Sequence, residues 1–276
     1  MRVRQFGPAG SSVPVLGIGT WNMERDDRKA AIAAIRRAIE LGMVHVDTAE
    51  LYGSGKVETL VGDAIAGVRD RIFLVSKVLP RNATYAGTLA ACETSLRRLR
   101  TDHLDCYLLH WREDVPLAET LRAFETLRQQ GKIRAWGVSN FDDEDLAEAE
   151  HLVGPGKIAC NQVLYHLGQR TIEHRILPWC EQHGTALVAY SPFGSRGGFP
   201  SSPALSQIAK RIGATPRQVA LAFLTRHASS FAIPKSSHAE HVDELAGADP
   251  VVLDAAAIAA IEAAFPLAPW RGLPTL

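Results

Sequence analysis

Neither sign of charge is in excess in this chain: 30 Lys and Arg balance 30 Asp and Glu over 276 residues. With that balance, and no long basic stripe, a nucleic-acid partner is not expected. The cluster Arg97-Arg98-Leu99-Arg100 closes an expected helix, where cations suit the negative end of the dipole, and is expected to be a solvated face. Cysteine is scarce. Cys92, Cys106, Cys160 and Cys180 are widely spaced and form no C-x-x-C pair, which argues against a zinc site or disulfide framework and fits free, mostly buried thiols in a reducing compartment. No stretch approaches the roughly 20 apolar residues of a membrane span, and the opening MRVRQFGPAGSSVPVLGIG lacks the apolar core of a secretory signal. The expectation is a cytoplasmic protein with no membrane partner. Nor does any linker or shift of composition divide the chain, so residues 1–276 are expected to form one domain.

What the chain has is alternation. Hydrophobic residues make up 46% of it, and they fall by turns into short strand-like runs and helix-periodic segments. Strands are expected at Val15–Thr20, Val44–Val46, Ile72–Ser76, Leu104–Leu109, Ile133–Val138, Ile158–Asn161, Ala186–Tyr190 and Phe231–Ile233. Helices are expected between them, among them Arg28–Leu41 stopped by Gly42, Leu117–Gln130 stopped by Gly131, and Ile172–His183 stopped by Gly184. A loop rich in Gly, Ser and Pro spans Ser191 to Pro203. Eight strand–helix units favour a (β/α)8 TIM barrel over an open doubly wound sheet. Gly7-Pro8-Ala9-Gly10 is a turn signal for a short N-terminal β-hairpin cap, and extra helices at about 239–246 and 254–264 finish the fold.

In such a barrel, chemistry sits where strands end. The residues at those ends are Asp47, Lys77, His110, Ser139 and Asn140, Gln162, Tyr190 and Ser191, and Lys235 and Ser236. Tyr52 follows Asp47 on a short loop that two glycines turn into the next helix. Asp47, Tyr52, Lys77 and His110 together make a coherent acid catalyst: an ammonium lowers the pKa of a nearby phenol, a carboxylate holds the ammonium, and an imidazole orients a carbonyl oxygen. Each alone has an ordinary alternative. Asp47 could cap a turn, Lys77 could be an exposed strand end, His110 a satisfied rim histidine and Tyr52 loop packing.

Several segments carry a resemblance: GIGTW (17–21), HVDTAELYGSGKVE (45–58), FLVSK (73–77), SLRRLRTDHLDCYLLHW (95–111), GKIRAWGVSNF (131–141), CNQVLYH (160–166), LVAYSPFG (187–194) and FAIPKS (231–236). In this order they make the chain similar to the aldo-keto reductases along nearly its whole length. ACETSLRRL and VLYHLGQRTIEHRILPWC resemble the bacterial branch that includes methylglyoxal and small-aldehyde reductases. The resemblance implies reduction of a small carbonyl substrate to an alcohol by hydride from a nicotinamide cofactor, usually NADPH, without metal, in a monomer. It makes Tyr52 the general acid, Lys77 and Asp47 the pair that sets its pKa, and His110 the substrate-orienting residue. Ser139, Asn140 and Gln162 would bind the nicotinamide carboxamide, Tyr190 would stack on its ring, and Ser191 would approach the pyrophosphate. Lys235 and Ser236 would contact the adenosine 2′-phosphate. Relatives that hold this phosphate tightly carry an arginine shortly after IPKS; here His241 stands where it is expected, which leaves NADH possible beside NADPH.

The remaining motifs have plainer readings. Gly17-Ile18-Gly19-Thr20 lacks the rest of a G-x-G-x-x-G fingerprint. His238 and His241 lie one helical turn apart with no third ligand apparent, and His45 alternates with apolar neighbours as a core histidine does. Trp21 and Trp111 follow strand ends and either line a substrate pocket or pack at the rim. The tail around Trp270 either folds over the mouth or is disordered. Two rival functions stay open: a Schiff-base lyase with Lys77 as nucleophile, and a non-catalytic regulatory subunit that binds a nicotinamide nucleotide.

Overall fold

The computed structural model describes residues 1–8, 10–194 and 198–276; Ala9 of the expected turn and residues 195–197 of the Gly/Ser/Pro loop lie outside the described residues. The hairpin is present as β1 (Val3–Gln5) paired antiparallel with β2 (Ser12–Pro14). Strands and helices then alternate: β3 (Ile18–Gly19), α1 (Arg28–Glu40), β4 (His45–Asp47), α2 (Lys56–Ala64), β5 (Phe73–Val78), α3 (Tyr85–Leu99), β6 (Leu104–Leu109) and α4 (Leu117–Gln129). The second half continues with β7 (Ile133–Ser139), α5 (Asp143–Val153), β8 (Cys160–Leu164), α6 (Ile176–His183), β9 (Ala186–Tyr190), α7 (Pro203–Ile212), α8 (Pro216–Leu224) and β10 (Ser230–Ala232), then α9 (Ala239–Ala246) and α10 (Ala255–Ala264).

β3 to β10 form one curled sheet of eight parallel strands in sequence order. Its two outermost strands also meet. Ala232 N–H donates to Val15 O at 2.9 Å, Gly17 N–H to Ala232 O at 2.9 Å and Gly19 N–H to Pro234 O at 3.0 Å.

Local chemistry sets the element ends. Asp27 caps α1 by accepting from Ala30 N–H at 2.8 Å, and Asp142 and Thr215 form reciprocal capping boxes on α5 and α8. The helix expected over 172–183 is divided: Thr171–His174 is a 3-10 turn, and α6 begins at Ile176. Pro178 has no N–H to continue a helix through the preceding turn, and it is tolerated near the start of α6 where that N–H has no partner anyway.

Each strand faces two ways. Outward side chains such as Val46, Leu74, Tyr107 and Trp136 pack under helices whose apolar residues recur at helical spacing, as Ala31, Ala34, Ile35 and Ala38 do in α1. Inward side chains form a second cluster: Val75, Cys106, Leu108, Cys160, Val188 and Phe231 pack with Phe6 and Val13 of the hairpin region. His45 belongs to that layer, edge-on to Phe6 and Phe73 at 5.6 and 5.5 Å between ring centroids, as a core histidine. The interior is narrow enough to require glycine. A Cβ on Gly137 would stand 2.6 Å from the Cys160 carbonyl oxygen, and one on Gly17 would stand 2.5 Å from that of His45. That packing explains Gly17 of GIGTW without any phosphate-binding role.

Candidate active site

Two residues further along the same inward faces, apolar side chains give way to polar ones. His45 is followed by Asp47, Val75 by Lys77, Leu108 by His110, Gly137 by Ser139, Cys160 by Gln162 and Val188 by Tyr190, because side chains in a strand repeat with period two. These ends surround a cavity of about 650 Å³.

Asp47 on its inner wall and Lys77 behind it are buried, with side chains 1% and 0% exposed. Lys77 Nζ donates to Asp47 Oδ1 at 2.6 Å and to Thr48 O at 2.8 Å, and lies 3.4 Å from the Tyr52 hydroxyl. The other Asp47 oxygen accepts from Gln162 Nε2 at 2.8 Å, and Thr20 Oγ1 fixes the Asp47 carbonyl at 2.8 Å. One carboxylate therefore ties β4 to β5 and to β8. Tyr52 is brought back toward Lys77 by a turn in which Gly53, Ser54 and Gly55 all have left-handed φ, of 56°, 55° and 88°. Gly55 is doubly constrained, since a Cβ there would meet the Arg98 guanidinium at 2.2 Å. Arg98 in turn bonds buried Glu58 at 3.0 Å, and Glu58 accepts from Ser76 Oγ at 2.7 Å. The basic cluster at 97–100 is thus not simply a solvated face: Arg98 braces the Tyr52 turn against β5.

Charge states follow from these contacts. Burial opposes the charge on Lys77, but the Asp47 carboxylate and the Tyr52 hydroxyl outweigh it, and the ammonium is held above the ordinary lysine value. The expected lowering of the Tyr52 pKa is not what the structure gives. Burial raises it, and Lys77 offsets that only in part, because the ammonium is already spent on Asp47 at 2.6 Å. The phenol therefore keeps its proton at neutral pH. Burial and then the Lys77 charge push His110 well below the usual histidine value, so its imidazole is neutral. Its ring stands edge-on to Tyr52 at 5.9 Å and to Trp111 at 4.9 Å, and its Nδ1 is buried without a partner.

A second network lies alongside. Ser139 Oγ donates to Gln162 O at 2.9 Å, Asn140 Nδ2 to His110 O at 3.1 Å, and Tyr190 OH to Asn140 Oδ1 at 2.8 Å. Asn140 and Ser191 carry left-handed φ of 58° and 46° without being glycine, a strain found where surrounding contacts fix a functional position. Of the residues named from the sequence, all but Lys77 and Ser236 reach the cavity wall. Lys77 lies behind Asp47 and Tyr52. Ser236 Oγ instead bonds the His238 backbone, donating to its carbonyl and accepting from its N–H, each at 3.1 Å. Lys235 does reach the cavity, paired with Asp26. Trp21 (43% exposed) and Trp111 line the mouth, and so does Leu276 at the tail. His238 and His241 stand edge-on to one another at 5.3 Å.

Three polar wall residues, Thr20, Arg112 and Asp145, and Asp26 just outside the wall escaped the sequence reading. Thr20 lies within GIGTW and Arg112 directly follows Trp111, so adjacency could have flagged both. Asp26 and Asp145 gave no signal; their roles depend on partners 209 residues (Lys235) and 33 residues (Arg112) away.

A buried Lys–Asp pair behind a protonated tyrosine, beside a neutral histidine, at the strand ends of a parallel sheet defines a class. The profile of the Aldo/keto reductase family matches residues 15–265, and the chain belongs to that family. It is 45% identical over 261 residues to the methylglyoxal reductase YeaE of Escherichia coli (strain K12), covering 92% of each chain. It is 37% identical to a glyoxal reductase of Bacillus subtilis (strain 168), over 82% of this chain and 80% of that protein. Among solved structures, an aldo/keto reductase from Klebsiella pneumoniae in complex with NADP and acetate superposes with a TM-score of 0.93 at 43% identity, covering 100% of this chain and 99% of the other. Among the described residues, no helix is long and apolar enough to cross a membrane.

Proposed function

We propose that this chain is a reductase of small aldehydes, ketones and α-dicarbonyls of the methylglyoxal kind, using NADPH, and that it is one domain built as a closed (β/α)8 barrel. The bonds joining β3 and its flanking residues to β10 support the closure. The observation that carries the activity is the line Asp47–Lys77–Tyr52, with distances of 2.6 and 3.4 Å, ending at the cavity.

The cavity suits the nucleotide. Neutral hydroxyl and amide groups of Ser139, Asn140 and Gln162 gather beside the Tyr190 ring, as a carboxamide on a flat ring requires, and Lys235 supplies a cation for phosphate. Relatives with NADP or NADPH bound favour the phosphorylated form. When bound, the reduced nicotinamide supplies a hydride to the carbonyl carbon. Tyr52 supplies the proton to the carbonyl oxygen. Its raised pKa keeps that proton until hydride transfer makes the oxygen basic, and the phenolate left behind faces the Lys77 ammonium. Asp47 keeps Lys77 charged and in place. His110, held neutral, is a hydrogen-bonding group that orients the carbonyl and not a second acid. Trp21, Leu51 and Trp111 give apolar walls, while Arg112 on the same wall is engaged by Asp145 and Glu148 at 2.6 Å each. That mouth suits a small neutral carbonyl.

A Schiff-base role for Lys77 fits poorly, since attack needs a free amine and the Asp47 pair keeps an ammonium. The test is steady-state oxidation of NADPH and NADH with methylglyoxal and with an aromatic aldehyde, for wild type and Tyr52→Phe. Wild-type turnover is expected, with a loss of at least about 10²-fold in the variant and nucleotide binding retained. Binding without turnover in the wild type would favour a regulatory nucleotide-binding protein, and absence of binding would overturn the cofactor assignment.

A further inference from the structure

Lys235, the cavity-wall cation assigned above to a nucleotide phosphate, is already engaged. Its Nζ donates to Asp26 Oδ2 at 2.5 Å, and the Ser237 hydroxyl donates to the same oxygen. Asp26 follows the 3-10 turn Met23–Arg25, on the loop between β3 and α1. Lys235 and Ser237 follow β10. The contact thus runs between the loops after the first and last parallel strands. Lys235 faces the main cavity, whereas Asp26 faces a smaller one of about 290 Å³, so the pair stands between the two. Both side chains are about one-third exposed, at 33% and 34%. An ion pair that open to water is weakly held, and a competing anion can replace one partner. The bonds from Lys235, then Ser237, hold the Asp26 carboxyl below the usual carboxylate range, so it is anionic wherever the protein would work. The hydroxyl expected beside the cation, Ser236, is meanwhile committed to the His238 backbone.

We propose that Asp26 is a specificity-determining residue for the nucleotide: its carboxylate occupies Lys235 and Ser237 in the free protein, and a 2′-phosphate must displace it whereas a 2′-hydroxyl need not. This rests on the assignment of Lys235 to the 2′-phosphate. A phosphate monoester carries between one and two negative charges near neutral pH. It is attracted by Lys235 and repelled by Asp26, while NADH meets neither effect at that position. Asp26 acts through Lys235 and so narrows the preference for NADPH that the lysine alone would confer. The two nucleotides thus differ in whether the loop after β3 stays tethered to the segment after β10.

The experiment measures dissociation constants for NADPH and NADH, by quenching of intrinsic tryptophan fluorescence, for wild type, Asp26→Asn, Lys235→Met and the double variant. Adenosine 2′,5′-bisphosphate and adenosine 5′-monophosphate serve as displacing fragments that carry no nicotinamide. Asp26→Asn keeps the shape and removes the charge. Its expected effect is about tenfold tighter NADPH and bisphosphate binding, with NADH and the monophosphate changed by less than about twofold. In the Lys235→Met background that selective gain should shrink to less than about threefold, because the carboxylate no longer withholds a cation. Equal shifts for both nucleotides, or weaker NADPH binding in Asp26→Asn, would overturn the proposal; the latter would mean that Asp26 positions Lys235 for the phosphate. If the wild type binds NADPH but the ratio is unmoved by Asp26→Asn, only this inference fails. If the wild type binds neither nucleotide, the functional assignment fails with it.

Discussion

Two buried histidines, one on β4 and one just past the end of β6 with β5 between them, separate the two layers of this molecule. His45 and His110 are both driven neutral by burial. His45 lies in the lower layer between Phe6 and Phe73, with both ring nitrogens unpaired; His110 lies on the cavity wall beside Tyr52. The lower layer is Val75, Cys106, Leu108 and Val188 sealed by Phe6, and the upper one, a single pleat further on, is Asp47, Lys77, His110 and Tyr190. The same backbone carries packing in one layer and, in the other, the groups proposed to move the proton. Burial alone therefore does not distinguish the two histidines; what each ring touches does.

Matched variants can break or sharpen that contrast. The largest expected effect belongs to the upper layer. Lys77→Met should lower kcat by about 10³-fold, since the phenolate loses its counter-charge. It should also cost about 3 kcal/mol of stability, because Asp47 stays buried with Gln162 as its remaining side-chain partner. Steady-state rates and denaturant titration check both. Next comes Phe6→Ala in the lower layer, with a comparable stability loss of about 3–4 kcal/mol but a kcat within about twofold of wild type. Should kcat collapse with it, the layers are coupled and the contrast fails.

The smallest effect is one of pH. His45 is held down to about 4, against 6.5 for a free histidine. The unfolded chain therefore takes up a proton between those values that the folded protein refuses, and stability is complete above the upper value and falls as pH drops through the window. From pH 6.5 to pH 5 the loss from this residue is about 2 kcal/mol, and His45→Leu should flatten that part of the stability–pH curve. An unchanged slope would mean that the ring is protonated in place.

Much of this was legible because two periodicities, one of strands and one of helices, place residues without any knowledge of partners. The register that sends Asp47, Lys77, His110 and Gln162 to one mouth follows from where apolar runs stop. The sign of the Tyr52 shift was not legible, since it depends on how completely the phenol is buried and on Lys77 being shared with Asp47. Asp26 was invisible for a different reason: an acid on a loop is unremarkable until the fold brings Lys235 to it across 209 residues of chain. The same holds for Arg98, one of several basic residues at a helix end until Glu58 and Gly55 are seen against it.

The bonds from Val15, Gly17 and Gly19 to Ala232 and Pro234 also bear on how the molecule is made. Until residues 230–234 leave the ribosome, the first parallel strand presents an unpaired edge, open to any other extended segment nearby. Asp47 likewise waits for Gln162 before its second oxygen is matched. Synthesis thus delivers Tyr52, the proposed proton donor, early and its finished surroundings last, so the nascent chain passes through a stage with an exposed strand edge and an unfinished cavity. That interval, rather than the finished protein, is where a chaperone would have the most to shield.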